Sequence, residues 1–275
     1  MPAFPRLRIF VALLLLMVAG FAAPVMADTD YSDIWYEGAA AGGWGVSFEQ
    51  NDNVIFVQLL VYDADNKPTW LGGTMLRSTD GNYAGSLYTT NGDYYGNVPY
   101  SPGVFSAQAV GTVAFMATDV SHGLLSYSVN GVVVNKLIQR QSLAPVKIAG
   151  QYLGAEQFTL TGSGCRNVAS PQSNFDQILV TQAPSTKAGM NGSLTISIYD
   201  QDGTAVCSMQ GAATQIGKVI DIPSAASTCP GGNTNSVAHV YDMRVAANAG
   251  LELRWTSPVA SNCTLEGRIN ALKTN

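Results

Sequence analysis

Charge is scarce in this chain. Only 12% of its 275 residues are Asp, Glu, Lys or Arg, while 47% are hydrophobic. A disordered chain would carry more charge and fewer apolar residues, and a coiled coil would be dominated by Glu, Lys and Leu in heptads. Histidine occurs only at His122 and His239, so the usual base for activating a serine or cysteine is nearly absent. The chain has no Gly-x-Ser-x-Gly elbow, Walker loop, His-Glu-x-x-His or dinucleotide fingerprint. Its 14 basic residues face 19 acidic ones, for a net charge of −5, which excludes nucleic acid as a partner drawn by bulk charge. After residue 27 no apolar run approaches the length of about 18 residues that marks a transmembrane helix.

The first 27 residues have the layout of a secretory signal peptide. Arg6 and Arg8 precede an apolar run over residues 9–22, and Val25 and Ala27 supply the small side chains that a signal peptidase inspects. Cleavage is expected before Asp28, with export to the periplasm, the cell surface or the exterior. It removes two basic residues and leaves a net charge of −7. The four cysteines, Cys165, Cys207, Cys229 and Cys263, all lie in the second half. An even count in an exported chain predicts two disulfides. No Cys-x-x-Cys spacing supports a metal or redox site.

From Gly43 onward, runs of β-favouring residues alternate with Gly/Asn/Asp turns. In the first half they cover residues 45–50, 54–62, 69–76, 83–89, 110–117, 124–129 and 132–139. In the second half they cover 151–160, 177–182, 193–199, 204–210, 217–222, 237–245, 251–256 and 264–272. Asn130-Gly131 is a strong hairpin signal, because both turn positions favour positive φ. Short connections imply antiparallel pairing. Most runs alternate polar and apolar residues, but 54–62 is apolar almost throughout and is expected to be covered on both sides. The expected fold class is all-β, with two antiparallel meander domains (small barrels or strongly curled sheets) over residues 28–144 and 145–275. Residues 57–66 echo residues 194–203, and Leu125 and Tyr127 more faintly echo Leu253 and Trp255, which raises the question of a duplication. In a closed meander the first and last strands are neighbours. That favours Cys165–Cys263 among the three possible pairings and leaves Cys207–Cys229.

Two stretches of the first half resemble a known family. One runs from Gly42-Gly43-Trp44-Gly45-Val46-Ser47-Phe48 through Tyr62-Asp63 to Pro68-Thr69-Trp70. The other runs from His122-Gly123-Leu124-Leu125 through Asn130-Gly131-Val132 to Lys136, Arg140 and Gln141. Together, over about residues 31–141, they are similar to a β-rich domain of secreted and surface proteins of proteobacteria. The resemblance implies location and fold class; it implies no activity and no catalytic residue.

Candidate chemistry is thin. Asp119, Ser121 and His122 sit within one turn, where a Ser–His–Asp relay is hard to build, and His239 lies within a strand. Glu37, Glu49, Glu156, Glu252 and Glu266 could supply a pair of catalytic carboxylates only if the fold brought two together. The segments from Asp63 and from Asp200 faintly match a calcium loop, but Lys67 and Thr204 occupy its fifth position. A membrane-spanning barrel would need more strands of 9–11 residues than the pattern shows. The strongest signal is aromatic: Trp44, Trp70, Tyr88, Tyr94, Tyr95 and Tyr100 stand among Gly, Asn and Asp, a composition suited to stacking on sugars or peptides, or to filling a barrel. The expected function is an exported, non-enzymatic binding module for carbohydrate or peptide, with no cofactor or metal. The alternatives are a surface-assembly protein and a hydrolase using acidic residues.

Overall fold

The computed structural model describes residues 29–165, 172–184, 190–228, 236–246 and 250–274. The expected signal peptide and Cys229 fall outside these residues. Among the described residues the first eight strands are β1 (Asp33–Tyr36), β2 (Gly45–Asn51), β3 (Val54–Tyr62), β4 (Pro68–Arg77), β5 (Tyr83–Asn91), β6 (Ser106–Ala117), β7 (His122–Val129) and β8 (Val132–Arg140). The next eight are β9 (Gly150–Thr161), β10 (Gln172–Ala183), β11 (Met190–Tyr199), β12 (Ala205–Ile216), β13 (Val219–Ser227), β14 (Ser236–Ala246), β15 (Gly250–Ala260) and β16 (Cys263–Lys273). Each set of eight is an antiparallel meander closed into a barrel. Closure rests on a short β1–β8 pairing in the first barrel and a ten-residue β16–β9 ladder in the second. Every strand is thereby paired on both sides.

Alternation decides which side chains enter each barrel. In the first, Trp35, Phe48 and Phe115 meet at the centre with ring centroids 4.9–5.7 Å apart. Trp35 Nε1 donates to the Tyr31 carbonyl at 3.0 Å, so the buried indole is satisfied. Burial of each such ring contributes roughly 2–3 kcal/mol. In the second barrel Tyr152, Ile178, Ile196, Val240, Trp255 and Ile269 belong to the corresponding core. Both interiors are mainly apolar, unlike a water-lined membrane barrel, although the second also encloses Glu156 and Asp176. No helix among the described residues is long and apolar enough to cross a membrane.

The expectation of two-sided burial for residues 54–62 is overturned. Ile55, Val57 and Leu59 are buried inside the barrel, but Phe56, Leu60 and Tyr62 are 43%, 58% and 57% exposed. The physical reason is closure: a barrel buries only its inner face, so the outward row of β3 meets solvent however apolar it is.

The disulfide Cys165–Cys263 joins the segment after β9 to the start of β16, with Cα atoms 4.8 Å apart, as the neighbouring of first and last strands requires. Cys207 is also disulfide-bonded. Ala144 and Pro145 lie between β8 and β9, and this connection is held by the second barrel. Gln215 donates through Nε2 to the Ala144 carbonyl at 2.7 Å and accepts from Val146 N at 2.9 Å. At the same junction Arg140 Nη1 pairs with Asp33 Oδ2 at 3.3 Å, both side chains being buried. The backbone amide of Lys218, in the β12–β13 turn, donates to that carboxylate at 3.0 Å.

Candidate functional site

An aromatic-lined groove runs along the outer wall of the first barrel across β3, β4 and β5. It encloses about 580 Å³. Strand register builds it. Phe56, Thr74 and Ser86 lie abreast on the three strands, and Gly72 lies beside Tyr88, one step from Trp70. Gly72 leaves a flat floor: a Cβ built there would stand 3.7 Å from Trp70 Cζ3 and 3.8 Å from Phe56 Cζ. Trp70 is 53% exposed and Tyr88 40%, so ring surface faces solvent instead of the core. Thr74, Ser86 and Thr90 add hydroxyls to the lining. These hydroxyls, with the Tyr88 hydroxyl and Trp70 Nε1, have no protein hydrogen-bond partner among the described residues. They remain available to a ligand.

Of the residues expected to bind, Trp70 and Tyr88 are brought together here. Trp44 stands elsewhere: half-buried, it packs against the barrel core, with Lys136 Nζ 4.6 Å from its ring centroid. Lys136 also pairs with Glu37, and its hydrogen bond holds the Glu37 carboxyl below the usual carboxylate range. Burial, reinforced by the charge of Glu37, pushes the Tyr127 phenol up.

Tyr94, Tyr95 and Tyr100 lie on the loop between β5 and β6, outside the groove. The rings of Tyr94 and Tyr95 are 4.7 Å apart, and Tyr95 is 89% exposed. Asp93 anchors the loop, accepting from Ser101 N at 2.7 Å, Tyr94 N at 2.9 Å and the Asn97 side chain. These donors, Ser101 foremost, lower its pKa.

The acidic and histidine candidates are spread over both barrels and are mostly held by local partners. Asp119 accepts from the amides of Ser121 and His122 at 2.7 and 2.8 Å and meets His122 Nδ1 at 3.0 Å, so the cluster staples its own turn. His239 Nε2 lies 2.6 Å from Asp221 on the outer wall of the other barrel. Glu252 is held by Arg244 at 2.8 Å, and Glu266 accepts from Thr161 Oγ1 at 2.8 Å. Glu49 is exposed. Glu156 is buried in the second barrel beside Asp176, both 4% exposed. Burial, aided by the Asp176 charge, pushes Glu156 up to about 7. Among the described residues no group of three or more His, Cys, Asp and Glu could hold a metal ion.

Sequence reasoning missed Phe56, Gly72, Thr74 and Ser86 as groove residues. Their signal was an outward-facing aromatic on one strand opposite small and hydroxylated residues on the next two, readable only once register is known. No protein-family model matches the chain, and no curated protein matches it.

Proposed function

We propose that this chain is an exported, non-enzymatic binding module whose ligand, a carbohydrate or a peptide, lies in the β3–β5 groove. The observation that carries the reading is the pairing of exposed Trp70, Phe56 and Tyr88 rings with a floor opened by Gly72. Side chains that merely filled the barrel would point inward, as Trp35 does. Export is supported by the leader-like residues 1–27 and by the disulfide, which persists in oxidising compartments.

Calorimetry or array binding against carbohydrate and peptide libraries tests the reading. Trp70→Ala and Tyr88→Ala are expected to weaken binding at least tenfold with the circular dichroism spectrum retained. Unchanged binding in both variants overturns the site. The exposed loop carrying Tyr95 and Val98 favours a second reading, self-assembly at a surface. A monomer by sedimentation at all concentrations disfavours it.

A further inference from the structure

We propose that the occupant of the β3–β5 groove is an uncharged glycan. This inference rests on the binding-module reading above and assigns the ligand class. Three observations support it.

The first is the laddering of the strands that form most of the groove. An extended peptide is commonly held by main-chain hydrogen bonds to an unpaired strand. Here nine of the eleven lining residues, all but Trp70 and Thr90, stand where their strand is laddered on both sides. Over that stretch the groove recognises through side chains, which removes a main source of peptide affinity.

The second is charge. None of the eleven residues lining the groove is ionisable at neutral pH as an acid or base of the Asp, Glu, Lys, Arg or His type. A carboxylate or sulfate seated there would lose water and gain no counter-charge, which is costly. The adjoining strand worsens matters for an anion, since Glu49 lies opposite Phe56 on β2.

The third is the mixture of groups. Trp70, Phe56 and Tyr88 offer ring faces, while Thr74, Ser86 and Thr90 offer hydroxyls between and beside them. A sugar ring has the complementary make-up, with C–H faces that stack on aromatic rings and a rim of hydroxyls that both donate and accept. A purely apolar occupant, such as an acyl chain or the apolar face of a second copy, would cover those hydroxyls without bonding them.

The test titrates the chain with three oligosaccharides of equal length: a neutral hexose polymer, a uronic-acid polymer and a glucosamine polymer. A neutral peptide and an acyl-chain detergent serve as controls. Neutral sugars are screened in several linkages. Two variants accompany the wild type. Gly72→Leu fills the floor, and the double variant Thr74→Val with Ser86→Ala removes hydroxyls while keeping volume; near-ultraviolet circular dichroism confirms the fold of each.

The expected result is binding of a neutral sugar, at least tenfold weaker binding of both charged polymers, and loss of at least tenfold in each variant. Equal or tighter binding of a charged polymer overturns the neutral-glycan assignment, as does an unaffected double variant. Binding of only the peptide or detergent, abolished by Gly72→Leu, overturns the glycan class while the groove stands. Glycan binding unaltered in Gly72→Leu overturns the groove itself, and with it both readings; so does the absence of any binding.

Discussion

Asp63 and Asp200 tie the same turn in the two barrels. Asp63 Oδ1 accepts from the amides of Asp65 and Lys67, both at 2.9 Å. Asp200 Oδ1 accepts from those of Asp202 and Thr204 at 3.0 and 2.8 Å. The residue that turns the chain has positive φ in each case, 61° at Asn66 and 82° at Gly203. Each turn joins the third and fourth strands of its barrel. The fainter echo obeys the same rule, since Leu125 and Tyr127 lie on the seventh strand of one barrel and Leu253 and Trp255 on the seventh of the other. Both echoes landing on equivalent strands is the pattern a duplication leaves.

In each turn one carboxylate oxygen ties two backbone amides. That contact makes each segment a hairpin staple, and Lys67 and Thr204 stand where a calcium loop needs an oxygen ligand. Asp63→Ala and Asp200→Ala should each cost about 1–2 kcal/mol in urea unfolding, with the Asn variants recovering part of the loss. Millimolar calcium should leave the melting temperature unchanged, and a rise of several degrees would refute the staple reading.

A buried ion pair within the first barrel stands at the junction with the second, where the Lys218 amide reaches it. Arg140 pairs with Asp33, donates through Nε to the Val120 carbonyl at 2.7 Å, and places its guanidinium 4.9 Å from the Trp35 ring centroid. Removing either partner strands a buried charge, so Arg140→Ala or Asp33→Ala should destabilise the chain by about 3–5 kcal/mol. Replacing both should cost less than the sum of the two. A double-mutant cycle in guanidinium chloride measures the coupling, and strict additivity would show that the contact contributes nothing of its own.

Two of the groove glycines, Gly72 and Gly85, should respond in opposite ways to the same substitution. A Cβ on Gly85 would overlap the Thr74 carbonyl, so β4 and β5 can approach only with glycine there. Gly85→Ala should therefore lose at least about 2 kcal/mol. A Cβ on Gly72 meets only ordinary ring contacts, so Gly72→Ala should be neutral or up to about 1 kcal/mol stabilising. Thermal melts of the pair decide the matter. Equal losses would mean that the difference in backbone crowding does not govern the wall.

How much of this was legible in the sequence follows from which signals are local. Alternation and turn residues locate seven strands of the first barrel, because Ile55, Val57 and Leu59 and the Asn130-Gly131 turn announce themselves within a few residues. The strand β1 escapes: four residues, Asp33 to Tyr36, are too few to show a period. Clustering in sequence also misleads. Tyr88 and Tyr94 are six residues apart, yet one stands on a strand wall and the other on a loop tip. The groove itself needs register between three strands, which no local pattern encodes.

The buried acid Glu156 makes the second barrel sensitive to pH. Its side chain enters the interior from β9, beside Asp176 from β10 and across from Ile269 of β16. Asp200, at the end of β11, adds negative charge that, after burial, helps raise Asp176. For Glu156 burial is the larger cause and Asp176 the next, and together they push its pKa up from 4.5 to about 7. A carboxyl with a raised folded pKa keeps its proton in the native state after the unfolded chain has released its own. The native state therefore binds more protons between pH 4.5 and 7, and stability falls as pH rises across that window. The shift corresponds to roughly 3 kcal/mol, fully present below the unfolded pKa and lost above about pH 7. Glu156→Gln keeps the shape without the charge. It should flatten the slope and leave the variant about 2–3 kcal/mol more stable than the wild type at pH 8.5, with little difference at pH 4. Asp176→Asn should lower the Glu156 midpoint and move the window towards acid. Urea unfolding between pH 4 and 9 reads all three curves. A wild-type curve that is flat, or that rises with pH in parallel with the Gln variant, would show that Glu156 ionises in the native state as freely as in the unfolded chain.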